Sequence, residues 1–352
     1  MNDAADTHLA AAIDAHHPTA LDSSTHSLCR EWLRTHARNL GLALALAISL
    51  STLGLLSPQY LSKDNLIVVA MQMSFVGIAA IGTAYLMISG NIDLSIGSLF
   101  ALVSVAASIL ATRTSPAVAM LAAVSLGGAV GLVNGALVWR IKLSPLIITL
   151  GSMSILRGVV LLLTDGYAVR GVPREFASLG QSKLLGAPTP VWIFGMIAVV
   201  AHLILVRTTV GQHVIALGGS RSACEAVGIH VRRLTLGAFM ANGLIVGLAG
   251  VLAASRFGSA SPSFGVGMEL DVITAVILGG VAFSGGEGTI PGVVLAVALL
   301  GVIQSGIVAL GIDAHYADVA KGAALIGVVS LDQLSHEARV RFQRMLALHE
   351  RK

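Results

Sequence analysis

Residues 89 to 98 read SGNIDLSIGS, an interruption of an otherwise oily chain that brings together an asparagine, an aspartate and three serines. Asp93 and Ser95 stand just before an apolar run that opens at Ile96. There a carboxylate or hydroxyl can accept backbone amides at the start of a helix, where free N–H groups and the helix dipole favour negative charge. Ser89 and Gly90 can end the helix before it. The same break, Asn91 included, can instead line a transport route, because irregular backbone at membrane depth is tolerated only where it faces water or protein. Arg157 lies about 20 Å into another apolar run at 1.5 Å per residue, so it must snorkel, pair with a carboxylate or face a wet cavity. Glu269 and Asp271 follow RFGSASPSFGVGM, whose glycines and Pro262 make a pliable entry to a helix. Asn91, Asp93, Ser95, Arg157, Glu269 and Asp271 are therefore the candidates for a translocation path or gate.

Other chemistries find no residues to carry them. No G-x-x-x-x-G-K-[ST] phosphate loop occurs, so any ATP is hydrolysed elsewhere. The apolar runs contain no paired histidines, metal-ligand set or nucleophile beside a base. Cys29 and Cys224 are far apart, which offers neither a disulfide framework nor a cysteine-rich metal site. His8, His16, His17, His26 and His36 lie in a polar stretch, residues 1–39, with no compact ligand spacing. That stretch reads as a cytoplasmic tail, and no cleaved signal peptide is expected.

The elements that must position these residues follow from composition. The chain has 55% hydrophobic and 11% charged residues among 352, with a mean hydropathy of +0.85. Soluble domains carry roughly a quarter charged residues, so this is an all-α polytopic membrane protein. The net charge of +4 is spread over short loops, which excludes a nucleic-acid-binding patch. Apolar runs predict about ten transmembrane helices: 40–56, 66–88, 96–111, 116–138, 145–163, 191–206, 234–254, 270–283, 290–310 and 317–331. The third and eighth are short. With the N-terminus inside, fourteen of the 22 lysines and arginines fall in inner segments and six in outer ones. Arg157 and Lys321 are the two within runs, and Lys321, one turn inside an outer edge, is expected to snorkel.

The inner loop, residues 207–233, contains a segment, Ser220 to Val227, that opens with serine and is closed by Gly228, the pattern of a short helix on the membrane surface. Arg232 and Arg233 would sit at the headgroups. A bare surface turn and a docking helix for a cytoplasmic partner both fit these residues.

The loop sequence GQHVIALGGSRSACEAVGI is similar to the coupling loop of permease subunits in bacterial ABC importers of the ribose/xylose type. ISGNIDLSIGS, ITLGSMSILRGV, GAPTPVWIFG, ELDVITAVILGGVAFSGGEGTIPG and AKGAALIGVVSLD resemble that family in the same order. The resemblance implies a type II importer permease in a bacterial cytoplasmic (inner) membrane, with both termini cytoplasmic and a transmembrane domain over residues 40–331. Residues 332–352 would be a cytoplasmic tail. It also implies a second permease copy, a cytoplasmic ABC ATPase dimer carrying ATP and magnesium, and an extracytoplasmic sugar-binding protein, with no cofactor on this chain. Gly218, Gly219, Arg221, Ser222, Glu225, Gly228 and Arg232 are the residues expected to couple to the ATPase. FSGGEG, Phe283 to Gly288, superficially resembles an ABC ATPase signature, but it joins two apolar runs and reads as a turn.

The expected cargo is a monosaccharide or polyol moved by alternating access. Branched-chain amino acids or nucleosides on the same scaffold are an alternative. An ion-coupled secondary transporter is another, although it calls for acidic residues at mid-membrane, and the carboxylates here mostly border the runs.

Overall fold

The computed structural model describes residues 20–313, 315–323, 325–327 and 330, with side chains from residue 37 onward. Helix α1 covers Ala20–Leu56. The chain to Gly41 forms one unit and the chain from Leu42 another, and the apolar fold belongs to the second. The stretch expected as a polar tail is thus helical from Ala20 onward. Residues 1–19 and the expected tail 332–352 lie outside the described residues.

Among the described residues seven helices are long and apolar enough to cross a membrane. After the end of α1 these are α2 (Lys63–Ile88), α4 (Pro116–Ile141), α5 (Pro145–Thr164), α7 (Thr189–Arg207), α10 (Val231–Phe257) and α12 (Ile290–Ala309). The other three expected runs are helical but shorter. They are α3 (Ile96–Ala111), α11 (Met268–Leu278) and α13 (315–323 and 325–327). The eighth expected run ends at Leu278 rather than Phe283, because Gly279 caps it and Gly280 turns the chain with φ +87°.

At 1.5 Å per residue α3 and α11 are about 24 Å and 17 Å long, too short for a hydrocarbon core of about 30 Å. They start beside one another. Gly97, in the first turn of α3, packs against the backbone of Gly265, just ahead of α11, and neither has room for a side chain. α3 leaves toward the turn into α4, whereas α11 leaves toward the end that carries Trp139, Arg140 and Arg221. That end is called the basic end below. The chain dips into the protein from opposite ends to begin each half-helix.

α10 is the central helix, packed on α4, α3 and α2. Its face against α4 is made of glycines: a Cβ on Gly127 would stand 2.5 Å from Gly243 O. Lipid gives apolar helices little hydrophobic reason to associate, so close backbone approach and dispersion contacts hold such pairs. α5 and α7 turn apolar side chains such as Leu162 and Val199 outward, as a lipid-facing surface requires.

Two further helices fill the loop at the basic end, where the sequence suggested one. α8 (Thr209–Gly219) begins at Thr208, whose hydroxyl accepts the amide of Gly211, and α9 (Arg221–Ala226) begins at Ser220. At the opposite end, α6 (Arg174–Gln181) leads into a hairpin of β1 (Lys183–Leu184) and β2 (Ala187–Pro188).

Candidate functional site

Helix α2 ends as the sequence suggests. Ser89 caps it and Gly90 takes φ +78°, while the amides of Gly90 and Asn91 return to the carbonyls of Met87 and Leu86 at 2.9 and 3.1 Å. The start of α3 differs in one respect. Ser95 occupies the cap position but its side chain caps nothing. Asp93, two residues earlier, accepts both the amide (2.8 Å) and the hydroxyl (2.6 Å) of Ser95 and so fixes the residue that precedes the helix.

Asp93 and Ser95 are fully buried, and from them a chain of hydrogen bonds runs through the protein. Asn134 of α4 donates to Ser95 Oγ at 3.0 Å, and Ser152 of α5 donates to Asn134 Oδ1 at 2.6 Å. On the other side Asn242 of α10 donates to Asp93 Oδ2, and Thr83 of α2 donates to Asn242 Oδ1, both at 3.4 Å. Thr149 of α5 accepts the amide of Leu94 at 3.1 Å. One carboxylate therefore ties α2, α3, α4, α5 and α10 together. A buried carboxyl group is tolerated when its oxygens are met by donors, as here. Its members at the centre, Asp93, Ser95, Asn134 and Asn242, are all buried, and their geometry is that of a structural knot. Asn91 stands apart from it: its amide stays local, bonded to Ser89 Oγ at 3.0 Å, and it borders a hollow at the basic end.

Arg157 turns inward, and among the described residues no hydrogen bond joins it to a carboxylate. Its Nη1 donates to the carbonyls of Pro262 (2.6 Å) and Phe264 (3.1 Å), in the segment that dips inward ahead of α11. Glu269 lies within electrostatic reach of the guanidinium and covers Gly97 at the start of α3. One guanidinium nitrogen thus satisfies two carbonyls that leave regular structure inside the protein.

Asp271, in the first turn of α11, forms an ion pair with Lys321 of α13 at 2.8 Å, and Asp318 lies 3.4 Å from the same ammonium. The Lys321 side chain is only 17% exposed, which corrects the expectation of snorkelling: the carboxylate holds it inward. The pair borders a cavity of about 340 Å³ between α2, α11, α12 and α13.

At the basic end, α9 is short and exposed. Ser220 Oγ accepts the amide of Ala223 at 3.2 Å. Arg221 reaches Glu225 at 3.3 Å and lies over the ring of Trp139, 4.8 Å from its centroid. Gly228, with φ +81°, closes the helix, its amide returning to Glu225 O at 3.2 Å and that of Ile229 to Cys224 O at 2.9 Å. Ser222 and Arg232 are exposed, and Cys224 is buried against Leu217 and Val231. Arg221 and Glu225 share a hollow of about 400 Å³ with Gly90 and Asn91. Two sets of candidates that are far apart in sequence meet there.

Below α9 lies a junction made of backbone. A Cβ on Gly218 would run into Ile88 O and the amide of Gly286. Gly285 packs on Gly90, with 2.8 Å from its Cβ position to Gly90 Cα, and Gly286 packs on Gly219 at 2.9 Å. The amide of Gly286 donates to Ile88 O at 2.8 Å. FSGGEG is therefore more than a turn between helices, since its glycines seat the end of α8 on the end of α2. Sequence reasoning also missed Thr83, Asn134, Ser152 and Asn242. The signal was present, for these are polar residues within apolar runs, the same reason that singled out Arg157.

Residues 65–329 match the family described as branched-chain amino acid transport system / permease component. The ribose import permease protein of Escherichia coli is 36% identical over 294 residues, covering 82% of this chain and 92% of that protein. The L-arabinose ABC transporter permease protein of Azospirillum brasilense is 35% identical over 300 residues, covering 85% and 88%. The ribose import permease protein of Bacillus subtilis is 33% identical over 316 residues, covering 88% and 98%. No solved structure matches the chain.

Proposed function

The chain belongs to the branched-chain amino acid transport system permease family, and from that premise we propose that it is the membrane-spanning subunit of an ATP-driven importer for a monosaccharide. Its partners in this reading are a cytoplasmic ABC ATPase dimer, an extracytoplasmic sugar-binding protein and a second permease copy. The basic end faces the cytoplasm by the positive-inside rule, with both termini on that side. The likeness to ribose and arabinose permeases over more than four fifths of the chain is what carries the choice of sugar over amino acid.

In this reading α9 seats on the ATPase, and Arg221, Ser222, Glu225 and Arg232 supply the polar contacts at its rim. When the ATPase subunits close on ATP they displace α9, and α8 moves with it. Gly218 passes that displacement to the end of α2 and to the turn between α11 and α12, because backbone packed on backbone cannot absorb it. The knot at Asp93 makes five helices respond as one body. Two states of similar free energy are all that alternating access asks of the permease.

Reconstitution with a cytoplasmic ABC ATPase and an extracytoplasmic sugar-binding protein from the same organism tests the reading. Uptake of labelled D-ribose or L-arabinose that requires ATP and both partners is the expected result. Uptake driven by an ion gradient with the chain alone would overturn it, and competition by leucine in place of sugars would transfer the cargo to branched-chain amino acids.

A further inference from the structure

We propose that the cavity of about 340 Å³ bordered by Gln72, Asp271, Gln304 and Lys321 is a transit subsite for an uncharged polyhydroxy solute. The proposal rests on the importer reading above. Its volume is at the lower end of ligand cavities, which run roughly 300–1,000 Å³.

Four polar side chains meet here from four helices. Gln72 lies nine residues into α2, about 14 Å along it, and Gln304 five residues before the end of α12, about 8 Å from it. Both positions fall within apolar, span-length helices. Both glutamines are exposed, and among the described residues their amides have no partner. Two bare amides beside a carboxylate and an ammonium would be costly against lipid, so this concavity faces water or cargo.

Its chemistry selects the class of cargo. Asp271 and Lys321 pair at 2.8 Å, so their charges cancel and an ionic solute gains nothing net from either. The pair still offers a carboxylate oxygen with no partner among the described residues, and spare ammonium protons. The glutamines add donors and acceptors. A hydroxyl both donates and accepts, so a sugar can bond to all four groups at once. Among the described residues the lining contains no aromatic ring on which a sugar face could stack. Without that platform binding stays weak, as a route that must release its cargo requires. Gly301, in the same wall, leaves room for Met73, a pliable side chain, to adjust beside the solute.

The assembled transporter in membrane vesicles provides the test. Gln304→Cys is expected to react with a charged, membrane-impermeant maleimide above the level of the unsubstituted chain. D-ribose in excess should slow that reaction, whereas ribose 5-phosphate should not. Gln72→Leu combined with Gln304→Leu should lower ribose uptake about tenfold, the loss expected from removing hydrogen bonds to cargo, while ATP hydrolysis stimulated by the binding protein persists. Failure to label Gln304→Cys from water, labelling indifferent to ribose, or unchanged uptake by the double variant would overturn the subsite and leave the importer reading standing. A parent complex that hydrolyses ATP without taking up sugar would remove that reading, and the subsite with it.

Discussion

Gly218, the penultimate residue of α8, lies against the carbonyl of Ile88, the last residue of α2, with no room between them for a methyl group. The obstacles around Gly218 are backbone atoms, which cannot swing aside. Gly219, one residue on, has nothing within 4 Å of its Cβ position. Gly218→Ala should therefore force α8 off the end of α2, at an overpacking cost of about 1–3 kcal/mol. The expected outcome is a variant that inserts in the membrane but couples ATP hydrolysis to uptake poorly. Gly219→Ala is the matched control and should transport normally. Equal uptake by the two would remove the junction from the coupling route.

The bond from Asn242 to Asp93 predicts non-additive stability effects. Asp93→Ala leaves the amide of Ser95 and the side chain of Asn242 without their acceptor, and a stranded buried donor costs about 1–3 kcal/mol. Asn242→Ala should cost a comparable amount. Because both belong to one network, the double variant should lose less than the sum. Thermal unfolding of the purified chain in detergent reads all three, and strict additivity would show that the two ends of the knot are independent.

Gly228 holds a left-handed backbone at the end of α9. A β-branched residue is poorly suited there, the left-handed region costing L-residues roughly 1–2 kcal/mol. Gly228→Val should fray α9 and lower ATP-driven uptake while membrane insertion continues. Gly228→Asn should be milder, since asparagine tolerates that conformation. Normal uptake by Gly228→Val would count against α9 as the docking element.

Arg157 supports a segment far from it in sequence. Arg157→Met leaves the carbonyls of Pro262 and Phe264 without that donor, and hydrogen bonds to charged groups contribute about 1.5–3 kcal/mol. Arg157→Lys keeps a charge but not the reach and fixed planar geometry of the guanidinium nitrogen. Amide exchange over residues 258–267 should quicken in the Met variant and less in the Lys variant. Unchanged exchange in both would show that the segment holds its shape without the arginine.

Much of the fold is legible in the sequence because the membrane imposes a simple rule. Backbone groups in lipid must bond internally, so apolar runs become helices, and seven runs do so at span length. The break at 89–95 and the closure at Gly228 were legible for a similar reason, since each depends on residues only a few positions apart. Even there the local rule reached only part of the way: Ser95 stands at the start of α3, yet its hydroxyl donates to Asp93 and accepts from Asn134 of α4 instead of capping an amide.

Lys321 shows the other limit. Its position one turn from a helix end predicts snorkelling, yet a carboxylate fifty residues earlier in the chain turns it inward. FSGGEG likewise reads as a flexible link until Gly218 and Gly90 are seen packed on it.

The sequence by itself determined that this chain spans a lipid bilayer with helices and lacks a phosphate loop of its own, and it marked Ser220 and Gly228 as the bounds of a short surface segment. Those properties follow from composition and from contacts within a turn or two. Only the tertiary structure decided that Asp93 is a knot, that Arg157 braces a returning segment and that Asp271 and Lys321 share a cavity. Each of these depends on which helices lie side by side, and in a membrane that choice is made by close backbone packing and buried polar pairing between distant residues, which no local pattern encodes.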